Sequence, residues 1–287
     1  IGVSATRTDK VPNTSPTAAS SGTDLNGKAA QNAAITIKNR LIEFAAGHFN
    51  VGENEVVFAD NHVHIGAKTL PFAELIQLAY MNRVSLSSTG YYKTPKIHFN
   101  RETAKGRPFF YYANGAAVSE VLIDTLTGEY KLLRADILHD VGKSLNPSID
   151  IGQIEGAFIQ GMGWLTTEEL MWNDKGRLLS NNPATYKIPA ISDAPVDFRV
   201  ALLPDDPNEE HTVYNSKAVG EPPFMLGISV WSALKDAVAS VADYRISPVL
   251  DTPATPEKVL WAVQDMQKAA ADKAVAVTAK TAEKSEA

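Results

Sequence analysis

PFFYYANGAAVSEVLIDTLTGEYKLLRADILHDVG, residues 108–142, decides the fold class. Branched and aromatic residues alternate on both sides of Asp124-Thr-Leu-Thr-Gly128, whose turn-forming residues predict a hairpin between two long strands. The next stretch, SIDIGQIEGAFIQGMGWLTTEELMW from Ser148 to Trp172, changes to the apolar spacing of a helix. Gly152 and Gly156 sit one turn apart on it, a pattern that predicts close approach by another backbone or a ligand. VDFRVALLP, Val196 to Pro204, returns to strand, and Pro222 to Ala242 returns to helix.

Upstream, DLNGKAAQNAAITIKNRLIEFAA carries Ala29, Ala33, Ile37, Leu41 and Phe44 at helical spacing, so a helix starts between Asp24 and Lys28. EVVFADNHVHIG predicts a hairpin about Asp60-Asn61, and PFAELIQLAYMNR a helix over Pro71 to Arg83. PEKVLWAVQDMQKA makes a last amphipathic helix, and DKAVAVTAKTAEKSEA reads as a flexible tail. Strands and helices mix without regular βαβ alternation, which predicts an α+β fold of mixed sheets and helices.

The 287 residues are 44% hydrophobic and 21% charged, enough to bury a sizeable core. A net charge of -6 without a long Lys/Arg cluster argues against nucleic acid as a partner. No apolar run is long enough to span a bilayer and no leader pattern is visible, so the expected place is the cytoplasm, away from the membrane. The absence of cysteine excludes thiolate nucleophiles, Cys-ligated zinc and iron–sulfur clusters from this chain. Redox chemistry would have to pass its electrons to another polypeptide or segment. The start at Ile1, without methionine, suggests a piece of something longer.

Three stretches could carry chemistry. In KAVGEPPFMLGIS, Gly220-Glu221-Pro222-Pro223 predicts an extended glutamate fixed at a helix entrance among apolar neighbours. Burial there should raise the carboxyl pKa while the helix N-terminus lowers it, which suits a general base; a purely dipolar helix acid fits the same residues. VPNTSPTAASSGTDLNG, Val11 to Gly27, reads either as an anion-binding loop before a helix or as a polar loop with an N-cap at Ser21 or Asp24. Gln153 is either a ligand-facing amide or a solvent-facing one. His62 and His64 share a strand face, but without a third ligand nearby a structural role is the better reading.

Taken together, the Val11 to Gly27 stretch, DVGKSLNPSIDIGQIEGAFIQGMGW and NSKAVGEPPFMLGIS resemble the C-terminal part of the molybdenum-binding subunit of the xanthine dehydrogenase family. The matches keep the family's order and span Ile1 to about Arg245. The resemblance implies a C-terminal molybdopterin-binding domain over 1–250, built of two intertwined α+β halves. A C-terminal helix over 251–272 and a tail over 273–287 would follow. It implies a molybdenum hydroxylase that oxidises hypoxanthine and xanthine to urate with oxygen from water, Glu221 serving as general base.

The cofactor implied is a molybdenum-pyranopterin (molybdopterin), with Ala18, Ala19, Ser20 and Ser21 beside it and Gln153 contacting the pterin. The pterin dithiolene would supply the sulfur ligands, so no protein residue is expected to ligate the metal. FAD and 2Fe-2S clusters are expected on partner segments, with NAD as acceptor. The family's substrate-orienting arginine and glutamate, and its stacking aromatics, belong to motifs absent here. The resemblance therefore implies a partial molybdenum subunit, inactive alone, that joins the N-terminal remainder of that subunit and an FAD/iron–sulfur subunit in a hetero-oligomer. Its short tail fits a split-subunit layout. Aldehyde oxidase or another N-heterocycle-hydroxylating enzyme is the nearest alternative. A non-catalytic domain should have lost the base or filled the loop, and neither has happened.

Overall fold

The computed structural model describes residues 1–5, 7, 9, 17–204 and 207–285, with side chains to residue 272. The chain divides into two compact units, residues 1–110 with 210–213, and residues 111–209 with 214–287.

In the first unit, a π turn over Gly22–Gly27 leads into α1, Lys28–Phe49, which ends on the left-handed residue Asn50. Three antiparallel strands follow in the order β1 (Val56–Ala59), β2 (His62–Ile65) and β3 (Lys68–Pro71), then α2 (Phe72–Met81). The β1–β2 hairpin turns on Asp60 and Asn61, at φ 47 and 58, two left-handed residues that match the twist of the strands. Leu41, Ala45 and Ala46 of α1 close the core with Val63, Ile65, Leu75 and Ala79. Two further short strands, β4 (His98–Asn100) and β5 (Lys105–Arg107), form a hairpin that sequence reading missed, because both are exposed throughout and carry no alternation. Glu210 accepts from Lys96 at 2.6 Å and Arg107 at 2.8 Å, and these bonds hold its carboxyl below the usual range.

The second unit is built on a sheet in the order β6 (Gly115–Ile123), β7 (Tyr130–His139) and β8 (Asp197–Leu202). β6 and β7 form the expected antiparallel hairpin, with Gly128 at φ 76 in the turn. β7 and β8 are parallel, and α3, Pro147–Thr166, lies in the connection between them. One βαβ crossover therefore sits inside the α+β arrangement. Its core joins Leu132, Ala135 and Ile137 of β7 to Ile154 and Phe158 of α3. It continues through Val230, Leu234 and Val238 of α4, Ile228–Ser240, and Val259, Val263 and Met266 of α5, Pro256–Ser285. Each of the larger side chains among these, from Val to Phe, contributes roughly 1.5–3 kcal/mol by its burial. The helix expected to stop at residue 272 continues to Ser285, because the following residues include neither glycine nor proline and are rich in alanine and lysine.

Close backbone approach occurs, but not at the glycines singled out above. A Cβ on Gly152 or Gly156 would meet nothing within 4 Å. On Gly161 it would lie 2.1 Å from the Phe224 carbonyl oxygen, and on Gly227 2.5 Å from the Gly161 carbonyl carbon. Gly161 of α3 and Gly227 of the 3₁₀ segment Pro222–Gly227 thus let two backbones touch. Changing Gly161 to alanine is expected to lower stability by about 1–3 kcal/mol, measurable by chemical denaturation, whereas Gly156→Ala should be neutral or stabilising.

His139 is 2% exposed, and no described residue bonds its Nδ1. Burial lowers its pKa against the opposing pull of Asp140. The unfolded chain therefore binds its proton first, and stability should be full above pH ~6.5 and fall below it by up to ~1.4 kcal/mol per pH unit until the folded pKa is reached. Thermal melts from pH 8 to 5 would show this slope, and His139→Gln should flatten it.

Candidate active site

The chain around Glu221 is fixed from both directions. Upstream, Asn215 to Lys217 runs antiparallel to Val141 to Lys143, the end of the segment leaving β7. Lys217 N–H donates to the Val141 carbonyl at 2.7 Å, and Lys143 N–H to the Asn215 carbonyl at 3.0 Å. Gly142 sits at φ 61 with its Cβ position 2.5 Å from the Asn215 oxygen, so only glycine fits there. Tyr214 and Asn215 are both left-handed, at φ 51 and 59, and this double turn delivers Lys217 to the sheet.

The Lys217 ammonium donates to Asp140 Oδ2, and the two side chains are 10% and 1% exposed. Asp140 Oδ1 also accepts from Gly142 N–H at 2.8 Å. A carboxylate this deep is tolerated because a cation and a backbone amide satisfy it together. Ala218 N–H then donates to the Tyr111 hydroxyl at 2.7 Å, leaving only Val219 and Gly220 before Glu221.

Downstream, Glu221 is the N-cap of the 3₁₀ segment, its carbonyl accepting from Phe224 N–H at 3.0 Å. Its backbone is right-handed, φ -96 and ψ -33, not extended as the prolines predicted; the i to i+3 bond of the 3₁₀ turn outweighs the restraint that Pro222 places on its neighbour. The carboxyl-bearing residue is exposed within this chain, which corrects the expectation of an apolar burial. Its apolar neighbours serve packing elsewhere: Pro223 and Gly227 are buried, and Phe224 meets the Trp164 ring of α3 at 5.7 Å.

Gln153 stands in the second turn of α3, the same helix that Gly227 touches, and is exposed. The helix start is held by the Asn146 side chain, which accepts from Ile149 N–H, and by Ser144, which donates to buried Asp150 at 2.5 Å. Gly152 and Gly156 leave open space beside Gln153, room for a planar ligand edge against an amide that both donates and accepts. Gln153 and Glu221 therefore share one unit and one packed pair of elements.

Ala18, Ala19, Ser20 and Ser21 belong to the other unit. Ala19 and Ser20 are consecutive left-handed residues, φ 57 and 53, and Ser21 Oγ donates to the Ala18 carbonyl at 2.7 Å. Side chains rarely adopt that conformation without a surrounding constraint, and such strain concentrates at functional sites. Residues 11–16 of the proposed loop lie outside the described residues. His62 and His64 are exposed, with His62 Nδ1 2.8 Å from the Asp60 carbonyl oxygen and His64 Nδ1 2.9 Å from Thr69 Oγ1. Among the described residues no three His, Asp or Glu side chains converge as a metal ion would need, and no helix is long and apolar enough to cross a membrane.

Asp140, Lys217 and Tyr111 escaped sequence reading as parts of this site. The signal was the glycine of Asp140-Val-Gly142, which marks a strand end where another backbone approaches.

The sequence profile of the molybdopterin cofactor-binding domain matches residues 1–195. Xanthine dehydrogenase/oxidase of Rattus norvegicus is 47% identical over 270 residues, covering 92% of this chain and 19% of that protein. Xanthine dehydrogenase of Oryza sativa subsp. japonica is 43% identical over the same share of each. The chain thus spans about a fifth of the length of the curated relatives it matches. Among solved structures, quinoline 2-oxidoreductase from Pseudomonas putida 86 aligns with TM-score 0.73 and 26% identity over 86% of this chain and 30% of that one. CO dehydrogenase from Oligotropha carboxidovorans shares the fold, with TM-score 0.73 at 22% identity over 90% of this chain and 31% of that one.

Removing the cation by Lys217→Met should leave Asp140 buried and unpaired and cost about 3–5 kcal/mol in denaturant unfolding. The double change with Asp140→Asn should recover part of that loss.

Proposed function

The chain belongs to the molybdopterin cofactor-binding domain family, and on that premise we propose that it forms the C-terminal part of a xanthine dehydrogenase-type molybdenum hydroxylase. The observation that carries the reading is the double fixation of Glu221, by the Asp140–Lys217 ion pair before it and the proline-led 3₁₀ turn after it. Similarity at 47% identity across nearly the whole chain favours a purine, hypoxanthine or xanthine, as the substrate.

The residues fit the cofactor. Gln153 presents an exposed amide beside the open space at Gly152 and Gly156, suited to a pterin's polar edge. The turn Ala18 to Ser21 offers small side chains, suited to a polar or anionic group and to a flat heterocycle. When bound, the molybdenum centre supplies the two-electron acceptor for hydroxylation. Glu221 takes the proton from the water-derived oxygen as that oxygen attacks the ring carbon. A carboxylate pinned on both sides loses little conformational freedom when it does so, which is the gain of proximity. Asp140 and Lys217 act on it through the backbone and touch no substrate.

In this reading 1–250 is the cofactor-binding domain. The longer N-terminal remainder of the molybdenum subunit completes the pocket, and FAD, 2Fe-2S clusters and NAD act on other segments of a hetero-oligomer. The chain alone should be inactive; purine oxidation by the isolated 287 residues would contradict this.

The test uses the assembled enzyme with Glu221 intact and replaced by alanine. Xanthine oxidation should fall by about a hundredfold or more while molybdenum content by elemental mass spectrometry stays constant. Loss of molybdenum along with activity would make Glu221 a cofactor contact instead. Faster turnover of an aldehyde or of nicotinate than of xanthine would move the substrate to the aldehyde oxidase type.

A further inference from the structure

β6 is an edge strand, paired only with β7 among the described residues. Two bonds fix which of its backbone groups face that partner: Asp140 N–H donates to the Asn114 carbonyl, and Asp124 N–H to the Glu129 carbonyl. The register break after Glu120 places its extra residue, Leu133, on β7, so alternation along β6 is unbroken. Ala116, Val118, Glu120 and Leu122 therefore bond to β7. Gly115, Ala117, Ser119, Val121 and Ile123 aim their N–H and C=O groups away from it.

That free edge opens into a groove of about 830 Å³ whose other wall is α4, presenting Ser232, Ala233, Asp236 and Ala237; α4 itself rests on β6, with Ser119 Oγ and Ser229 Oγ 2.8 Å apart. Small side chains there leave room for another chain beside the strand. On the opposite face of β6, Val118 and Leu122 are 70% and 60% exposed. The edge carries no proline or lysine, and Glu120 is its only charge. Proteins ordinarily blunt a long edge with such residues, since an open one recruits stray strands. An unblunted edge beside a helix-walled groove is the geometry used to accept an extended segment.

We propose that β6 is completed by an extended strand from the remainder of the molybdenum subunit, laid along the free edge of β6 in the groove beside α4. This rests on the reading above that the chain is part of a longer polypeptide. Relatives of which this chain spans 19% hold ample further chain to supply the strand. The entering segment would place small or polar side chains toward Ser232 and Asp236, and apolar ones beside Val118 and Leu122.

Hydrogen exchange of the assembled enzyme, resolved to single amides, tests this without reference to activity. The outward amides of Ala117, Ser119, Val121 and Ile123 should exchange slowly, within about tenfold of the inward amides of Val118 and Glu120. Outward amides exchanging at the rate of free surface groups would overturn the proposal. Protection that vanishes on dilution would assign the edge to a second copy, and would overturn it too. Val121→Pro removes an outward N–H and no bond to β7, so it should release the protection of Ala117 and Ser119 while β7 stays protected. Unchanged protection in that variant would rule out strand addition.

Discussion

The buried pair of Asp140 and Lys217 is the constraint on which the candidate site depends. Bringing both charges out of water is costly, and their attraction offsets that cost only in a fixed geometry. That geometry is set by β7, which Asp140 directly follows, and by the short antiparallel pairing that delivers Lys217 to Asp140. The pair therefore registers the Glu221 segment against the most buried strand of the sheet. The glycines follow from this: Gly142 because the Asn215 carbonyl occupies the space a side chain would take, and Gly161 and Gly227 because α3 and the 3₁₀ turn meet backbone to backbone.

One helix then serves two ends. α3 bears Gln153 on an exposed, glycine-lined face near its start, and Gly161 two turns further on where the Glu221 segment packs. Movement of the helix would carry both residues together. On the proposed reading, the cofactor contact and the proton acceptor would in this way be referred to the same rigid element. Such an arrangement suits chemistry in which a base must meet a reacting atom within a hydrogen bond's length.

Much of this was legible from residues. The 115–139 hairpin was announced by alternation around Asp124 to Gly128, and the β1–β2 turn by Asp60-Asn61. The fixed position of Glu221 followed from its prolines, but its right-handed backbone did not, because local steric rules do not include the hydrogen bond that Phe224 N–H makes to it. The burial expected for Glu221 also failed: apolar neighbours in sequence can turn their side chains to the core and leave one polar group outside. The spacing of Gly152 and Gly156 predicts close approach by a backbone or a ligand; no backbone comes near either, and Gly161 makes the backbone contact instead, since spacing shows which face a glycine occupies and not what lies opposite. The Asp140–Lys217 pair joins residues 77 apart, a separation that no local pattern encodes.

The central claim is that Glu221 is held beside the reacting centre. Anomalous scattering at the molybdenum edge, from crystals of the assembled enzyme, measures this directly by locating the metal. The account predicts a molybdenum position within about 3–5 Å of the Glu221 carboxylate. A metal more than ~10 Å from that carboxylate would contradict it, since no proton could then pass directly between them.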